Sequence, residues 1–185
     1  MSESSNSLVK EPLGDLEIRR AASDDAQLLS VLAATTFYEA YFVQDGPHNL
    51  AAYITASFGI ETIADDLSRP NILFFIAYCS GKAVGYAKLD TASRDLSILA
   101  GKTIELKRLY TVERVWGRNV GEPLLLHCEA FAVELGCASI WLSVWQENER
   151  GKRFYDKHGF VKRGTLEFPY GDVVGINDVM EKPLA

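Results

Sequence analysis

RVWGRNVGEPLLL, residues 114–126, joins a run of small turn-forming residues directly to a leucine-rich segment. Gly117, Asn119 and Gly121 are residue types that readily adopt tight or left-handed backbone conformations. Pro123 suits the first turn of a helix, where its missing N–H leaves no bond unmade. The stretch therefore predicts the start of a helix whose unpaired N–H groups are directed at the turn. It lacks the pattern of a P-loop or a dinucleotide fingerprint, and by itself leaves phosphate binding and a plain helix start open.

The segments around this turn predict a mixed succession of strands and helices. Strands are expected at 16–21, 71–79, 83–90, 103–112, 138–145, 160–168 and 173–183. Helices are expected at 25–42, 48–58, 60–68, directly after the turn, and at 147–159. We expect residues 1–14 to form a flexible tail and residues 15–185 to form a single domain. This order, without a repeat or a linker, predicts an α/β (α+β) fold around one central sheet.

Composition limits the classes of function. A formal net charge of -6 argues weakly against a nucleic-acid partner, which usually selects a basic face. No apolar run approaches membrane-spanning length, so no membrane partner is expected. The three cysteines have no C-x-x-C spacing and the three histidines no ligand spacing, which predicts no disulfide framework and no metal site. We interpret the cysteines as reduced and buried, and expect a cytoplasmic protein.

Three stretches together resemble the GNAT superfamily of acetyl-CoA-dependent N-acetyltransferases. They are RLYTVERVWGRNVGEPLL (108–125), IWLSV (140–144) and the segment from 148 to 160 that contains Asn148, Phe154, Tyr155, Gly159 and Phe160. The resemblance covers roughly residues 16 to 183 and is densest from 104 to 164. It implies a mixed, mostly antiparallel central sheet flanked by helices, and transfer of an acetyl group from acetyl-CoA to an amine.

The turn departs from the family pattern, which is Q/R-x-x-G-x-G/A over residues 116–121. Trp116 replaces the Gln or Arg, and Asn119 replaces the first Gly. Trp116 removes a polar side chain from beside the expected pyrophosphate. Asn119 is compatible with the pattern where its backbone is left-handed. Glu122 is expected to point away from the phosphates, because two negative charges repel each other.

By resemblance, coenzyme A adds alongside strand 103–112 like an extra strand, and this strand splays from 138–145 to admit it. The turn wraps the pyrophosphate, and Asn148 holds the pantetheine amide or caps the following helix. The residues implied in cofactor binding are Leu109, Tyr110, Thr111, Val112, Gly117, Arg118, Asn119, Val120, Gly121, Glu122, Asn148 and Tyr155.

Acetyl transfer to an amine needs a base and an acid, because alkylamines have pKa values near 10 and are mostly protonated. Glu105 is the predicted base, and strict alternation places it on the face of Leu109 and Thr111. The plainer interpretation of Glu105 is an exposed strand carboxylate, and Glu39 and Glu113 are further candidates. The resemblance implies that the Tyr155 hydroxyl protonates the leaving thiolate. No acyl-enzyme is expected.

Four segments look more specifically like bacterial spermidine/spermine N-acetyltransferases, which suggests a polyamine acceptor. They are ATTFYEAYF (34–42), IELKRLY (104–110), IWLSVWQEN (140–148) and FPYGD (168–172). In this interpretation Phe37, Tyr38 and Tyr41 contact the small-molecule amine, although aromatic residues at this spacing also form cores. Acetylation of a protein N-terminus or lysine, and a coenzyme-A-binding sensor without catalysis, remain alternatives. A homodimer is possible.

Overall fold

A computed structural model describes residues 14–98, 101–170 and 173–184. The predicted tail, residues 1–14, lies outside the described part of the chain except for Gly14. The described strands form one sheet in the order β1-β2-β3-β4-β5-β7-β6. They are β1 (Leu16–Arg20), β2 (Ile72–Cys79), β3 (Lys82–Asp90), β4 (Thr103–Thr111), β5 (Ser139–Trp145), β6 (Val161–Tyr170) and β7 (Val173–Pro183).

In the described part of the chain, five α-helices flank this sheet at the positions that the sequence predicts. They are α1 (Ala26–Tyr41), α2 (Pro47–Phe58), α3 (Ile60–Ser68), α4 (Gly121–Glu134) and α5 (Glu149–Lys157). A short 3-10 turn at Glu113–Val115 connects β4 with the segment that begins α4. The predicted mixed fold with one central, mostly antiparallel sheet is therefore confirmed. No helix in the described ranges is both long and apolar enough to cross a lipid bilayer.

The helices cover the two faces of the sheet with two separate cores. On one face, α1, α2 and α3 pack Leu29, Phe58 and Ile63 against Phe74 and Tyr86 of the sheet. On the other face α4 contributes buried side chains to a second core, which also includes β-strand residues; its members from α4 are Leu124, Leu125, Cys128 and Ala132. All three cysteines are buried free thiols, as predicted. We call these two sides the α1 face and the α4 face.

The junction between β4 and β5 is the one parallel pairing among the described strands. It is short, because it runs from Thr103 opposite Ser139 only to Glu105 opposite Trp141. Beyond this point β4 stays paired with β3 up to Thr111, and β5 stays paired with β7 up to Trp145. The two strands therefore separate in the middle of the sheet, as the resemblance implied.

A β-bulge lies where this separation begins. Leu89 of β3 pairs with Leu106, whereas Lys88 pairs with Arg108, so Lys107 is an extra residue in β4. An extra residue bends its strand and reverses the alternation of side chains beyond it. Because Leu106 and Leu109 pair with Leu89 and Ala87, they lie on the same face of the sheet although three positions separate them.

The last paired residues before the separation are expected to stabilise the fold strongly. Ile140 is fully buried and lies opposite the equally buried Ile104. Ile140→Ala should lower the free energy of unfolding by about 2 to 5 kcal/mol, because it leaves a cavity beneath the junction. Denaturant titration measures this loss. Val133→Ala, at an exposed position of α4, is the control and should change stability by less than about 0.5 kcal/mol. Equal losses in both variants would contradict this account of the junction.

Candidate active site

The separated ends of β4 and β5 open into a cleft with a volume of about 1130 Å³. This volume is large for a small-molecule site and suits a long ligand together with a second molecule. Its walls come from four further parts of the fold: the end of α1, the turn before α4, the start of α5 and the β6–β7 hairpin. The cleft therefore reaches from the α1 face to the α4 face through the sheet.

One wall of the cleft is the open edge of β4. The Val112 N–H donates to the carbonyl of Val84 in β3. Since backbone groups alternate in direction along a strand, the N–H and C=O groups of Leu109 and Thr111 are directed at β5 instead, where β4 has no paired partner strand. Trp116 Nε1 donates to the Thr111 carbonyl at 2.9 Å. The edge thus offers backbone hydrogen bonds to a ligand that lies along it.

The turn before α4 closes one end of the cleft. Gly117 and Asn119 have left-handed backbones, with φ values of 70° and 57°. Asn119 therefore has the conformation that makes it compatible with the family pattern. The helix begins at Gly121, and its first N–H groups have no partner within the helix. They give this end of the cleft a partial positive charge that suits a phosphate.

Glu122 lies on the cleft wall close to basic side chains of α5. Its carboxylate oxygens are 3.8 Å from Lys157 Nζ and 3.5 Å from His158 Nε2. These contacts direct its charge at α5, which agrees with the expectation that it points away from a bound phosphate. They also join the first turn of α4 to the last turn of α5.

Trp116 occupies the position where the family has Gln or Arg, and its ring packs against the guanidinium of Arg150. The Arg150 guanidinium carbon lies 3.5 Å from the centre of the Trp116 ring, which is a close cation–π contact. Both residues line the cleft. A positive charge is therefore present beside the turn, although it comes from α5 and not from position 116.

Tyr155 and Asn148 lie together on the α5 wall of the cleft. The Asn148 side chain accepts a hydrogen bond from the Gly151 N–H at 2.9 Å and so caps α5. The Tyr155 ring packs against Phe154 and Phe160. Burial raises the pKa of Tyr155 above its ordinary value. The phenol therefore carries its proton throughout the physiological range.

The α1 side of the cleft is aromatic. The ring centre of Phe37 lies 4.6 Å from that of Tyr41 and 4.7 Å from that of Tyr53. The hydroxyls of Tyr41 and Tyr110 lie 3.4 Å apart. Tyr38, in contrast, is 53% exposed and stacks on Phe42, so it does not line the cleft although the sequence predicted a substrate contact.

Glu105 does not lie on the face that the sequence predicted. The bulge at Lys107 reverses the alternation, so Glu105 is on the face opposite Leu109 and Thr111. Its carboxylate is 2.6 Å from Lys107 Nζ, and it is not among the cleft-lining residues. Of the other two predicted carboxylates, both Glu39 and Glu113 line the cleft. The two residues are in contact, because the backbone N–H of Glu113 donates a hydrogen bond to the Glu39 carboxylate oxygen Oε2 at 2.7 Å.

The cleft brings together most of the predicted site residues. Those that line it are Phe37, Tyr41, Leu109, Tyr110, Thr111, Gly117, Asn119, Val120, Gly121, Glu122, Asn148 and Tyr155. Val112 and Arg118 do not line it; the Val112 N–H is bonded to β3. No cysteine lines the cleft, and burial raises the pKa of the Cys128 thiol. The described residues contain no cluster of His, Cys, Asp and Glu suited to a metal ion.

The two arginines that line the cleft were given no role in the sequence analysis. Arg108 lines the α1 side, and Arg150 lies over Trp116. A signal for Arg108 was present, since the adjacent charges of Lys107 and Arg108 interrupt an otherwise alternating strand. The stack of Arg150 on Trp116 has no sequence signal, because it joins residues of two elements whose packing decides the contact.

Comparison with known proteins identifies the family. The sequence profile of the Acetyltransferase (GNAT) family matches residues 32–160. An uncharacterised N-acetyltransferase of Mycobacterium tuberculosis is 31% identical over 147 residues, which are 80% of this chain and 90% of the relative. Another uncharacterised N-acetyltransferase, from Lactobacillus delbrueckii subsp. lactis, is 22% identical and covers 91% of this chain and 98% of its own.

Solved structures share the fold. The PaiA N-acetyltransferase of Thermoplasma acidophilum, solved in complex with coenzyme A, matches with a TM-score of 0.75 and 23% identity. The match covers 91% of this chain and 99% of that one. A GCN5-related N-acetyltransferase of Rhodopseudomonas palustris has a TM-score of 0.73 and 20% identity, covering 93% of this chain and 98% of its own. The chain therefore belongs to the acetyltransferase (GNAT) family and is an N-acetyltransferase.

Proposed function

We propose that this enzyme transfers the acetyl group of acetyl-CoA directly to the primary amine of a small molecule, with both substrates bound in the cleft at once. One observation carries the proposal: the open edge of β4 runs into the left-handed turn at the start of α4. An extended chain with a phosphate at one end fits this arrangement, and coenzyme A is such a molecule. The neighbour from Thermoplasma acidophilum, which was solved with coenzyme A, supports this choice.

Several residues of the cleft fit coenzyme A. The backbone of Leu109 and Thr111 offers hydrogen bonds along the open edge, and the N–H groups near Gly121 suit the pyrophosphate. Arg150, held over Trp116, supplies a cation beside position 116, where the family pattern has Gln or Arg. When bound, acetyl-CoA supplies an acetyl group activated as a thioester.

Tyr155 is proposed as the acid. The amine nitrogen forms a bond to the acetyl carbon, the carbon–sulfur bond breaks, and its electron pair stays on sulfur as a thiolate. The Tyr155 hydroxyl then protonates this sulfur and recovers its proton from solvent. A backbone N–H on the open edge of β4 would stabilise the charge on the acetyl oxygen as the new bond forms. Transfer without an acyl-enzyme is proposed because no cysteine lines the cleft.

The base, which takes the proton that the amine nitrogen loses as the amide forms, is proposed to be Glu39. It lines the cleft, and one of its oxygens is fixed by the Glu113 N–H while the carboxylate as a whole is only half-buried. Glu105 was the first candidate from the sequence. It could act as the base only if a water molecule carried the proton between the amine and its carboxylate. Its carboxylate is paired with Lys107, and it does not line the cleft.

Polyamines are the acceptors suggested by the sequence resemblance, and they are the first to be tested. The aromatic α1 side suits an alkyl chain, and the Asp45 carboxylate on the cleft wall could pair with a distant ammonium. Two alternatives remain: acetylation of a protein N-terminus or lysine, and binding of coenzyme A as a sensor without catalysis. A homodimer and a cytoplasmic location also stay predictions.

Thiol release from acetyl-CoA by the purified protein tests the function. We expect release that depends on a small primary amine, because the cleft has room for acetyl-CoA together with an acceptor. The panel contains spermidine, amino acids, aminoglycosides and short peptides. Release with peptides alone would replace the small-molecule proposal with protein acetylation. Binding of acetyl-CoA without release for any acceptor would indicate a sensor.

Tyr155→Phe should lower kcat about a hundredfold, because a general acid typically contributes this much or more. The Kd for acetyl-CoA, measured by calorimetry, should change less than twofold, since only a hydroxyl is removed. Tyr78→Phe is the control, because the Tyr78 hydroxyl accepts a hydrogen bond from Arg19 and does not line the cleft. An unchanged kcat in Tyr155→Phe would remove Tyr155 as the acid.

Two further variants identify the base through the pH profile of kcat/KM. Glu39→Gln should shift the profile to higher pH, because the acceptor amine, with a pKa near 10, must then lose its proton to bulk solvent. The Gln amide oxygen still accepts the Glu113 N–H, so the local backbone is kept. Glu105→Gln should leave the profile in place. The opposite pair of results would establish Glu105 as the base.

A further inference from the structure

Arg108 lies in the acceptor half of the cleft. The bulge at Lys107 places it on the α1 face of the sheet, together with Tyr110 and opposite Leu109. It lines the cleft, and its guanidinium carbon is 4.3 Å from the centre of the Phe58 ring. Phe58 belongs to the core beneath α1 and α2, so the charge sits at the base of the aromatic region.

The Arg108 guanidinium has no carboxylate partner among the described residues. The ion pairs within 4.0 Å in this part of the chain do not include it, and its Nη1 atom is buried without a hydrogen bond. Nearby acids on this face are paired elsewhere. Asp66 pairs with Lys88, and Glu105 and Asp90 pair with Lys107.

A guanidinium that has no carboxylate partner and a buried Nη1 without a hydrogen bond is suited to an anion. Arginine stays protonated in proteins, so Arg108 cannot remove its charge by losing a proton. A charge taken out of water is costly unless it gains a partner, and the Phe58 ring supplies only part of that compensation. The planar fork of a guanidinium binds a carboxylate through two parallel hydrogen bonds. The Arg108 side chain lines the cleft, where an acceptor would bind.

We propose that Arg108 binds a carboxylate of the acceptor, so that the enzyme acetylates amino acids and related amino-carboxylates in preference to amines that carry no acid. The inference rests on the proposed function and narrows its acceptor away from polyamines, whose charges are all positive. The Arg108 side chain and the open edge at Leu109 line the same cleft, so one acceptor molecule can contact both. The carboxylate binds at Arg108 and the amine reaches that edge.

Matched pairs of acceptors test this specificity. Phenylalanine and 2-phenylethylamine differ only in the carboxylate, and so do ornithine and putrescine. We expect the wild-type kcat/KM to be about ten- to a hundredfold higher for the acid of each pair, which is the effect of one hydrogen-bonded charge pair. A higher value for 2-phenylethylamine and putrescine would overturn the proposal and restore the polyamine class.

Arg108→Gln should abolish this preference by lowering kcat/KM for phenylalanine and ornithine at least tenfold, mostly through KM. The values for 2-phenylethylamine and putrescine should stay within twofold. Arg69→Gln, at an exposed arginine paired with Asp65 outside the cleft, is the control and should change neither. An equal loss for both members of a pair would overturn the proposal, because it would show a merely structural role.

Arg108→Lys serves where Arg108→Gln does not fold. It keeps the charge and loses the planar fork, so it should still favour the acids but by a smaller factor than the wild type. A preference identical to that of the wild type in Arg108→Lys, with Arg108→Gln unfolded, would count against carboxylate recognition by the fork.

A binding measurement separates this inference from catalysis. The carboxylate 3-phenylpropionate has no amine and cannot be acetylated. It should raise the Tm of the wild type and of Arg69→Gln but not of Arg108→Gln, whereas the neutral 3-phenylpropanamide should raise none of them. This pattern without turnover on any amine would support the Arg108 site while rejecting the proposed activity. Turnover on amines with no Tm shift by 3-phenylpropionate would reject the Arg108 site and keep the activity.

Discussion

The site depends on the loss of backbone pairing between β4 and β5 beyond Glu105 and Trp141. Strands in the middle of a sheet normally satisfy each other's N–H and C=O groups, and unpaired groups that are buried are costly. Here each strand keeps its outer neighbour and gives up the inner one. The resulting edge needs a partner, and the Trp116 indole supplies one hydrogen bond to it in this structure. The cleft is thus a gap in the sheet that an extended ligand can fill.

This gap also explains why the two halves of the cleft differ in chemistry. The α4 face contributes a helix start with free N–H groups and a left-handed turn, which suit a phosphate. The α1 face contributes aromatic rings and the Arg108 guanidinium, which suit an organic acceptor. Because the strands part between these faces, two molecules can meet through the sheet without passing around it. Each face keeps its own hydrophobic core, so the gap does not divide a single core.

The elements and the left-handed turn could be predicted from the sequence because both have local causes. The periodic spacing of apolar residues predicted where the strands and helices lie along the chain. Asn119 is a residue type that tolerates a positive φ, so the left-handed turn was also predictable. The face of Glu105 was predicted wrongly because strict alternation was assumed across Lys107. The spacing of Leu106 and Leu109 by three positions was a clue, but pairing with β3 decides where the extra residue lies. The Trp116–Arg150 stack and the missing partner of Arg108 depend on packing between distant segments, which periodicity does not report.

The bulge decides where the length of β4 can change. Lys107 has no partner residue in β3, whereas Leu106 and Arg108 on either side of it pair with the consecutive residues Leu89 and Lys88. Removal of Lys107 would therefore restore regular pairing and leave Arg108, Leu109 and Tyr110 on their present faces. Its loss would cost the ion pairs with Glu105 and Asp90 but not the faces that line the cleft. A relative that lacks one residue at this position can therefore keep the same cleft, and an alignment gap there does not indicate a different site.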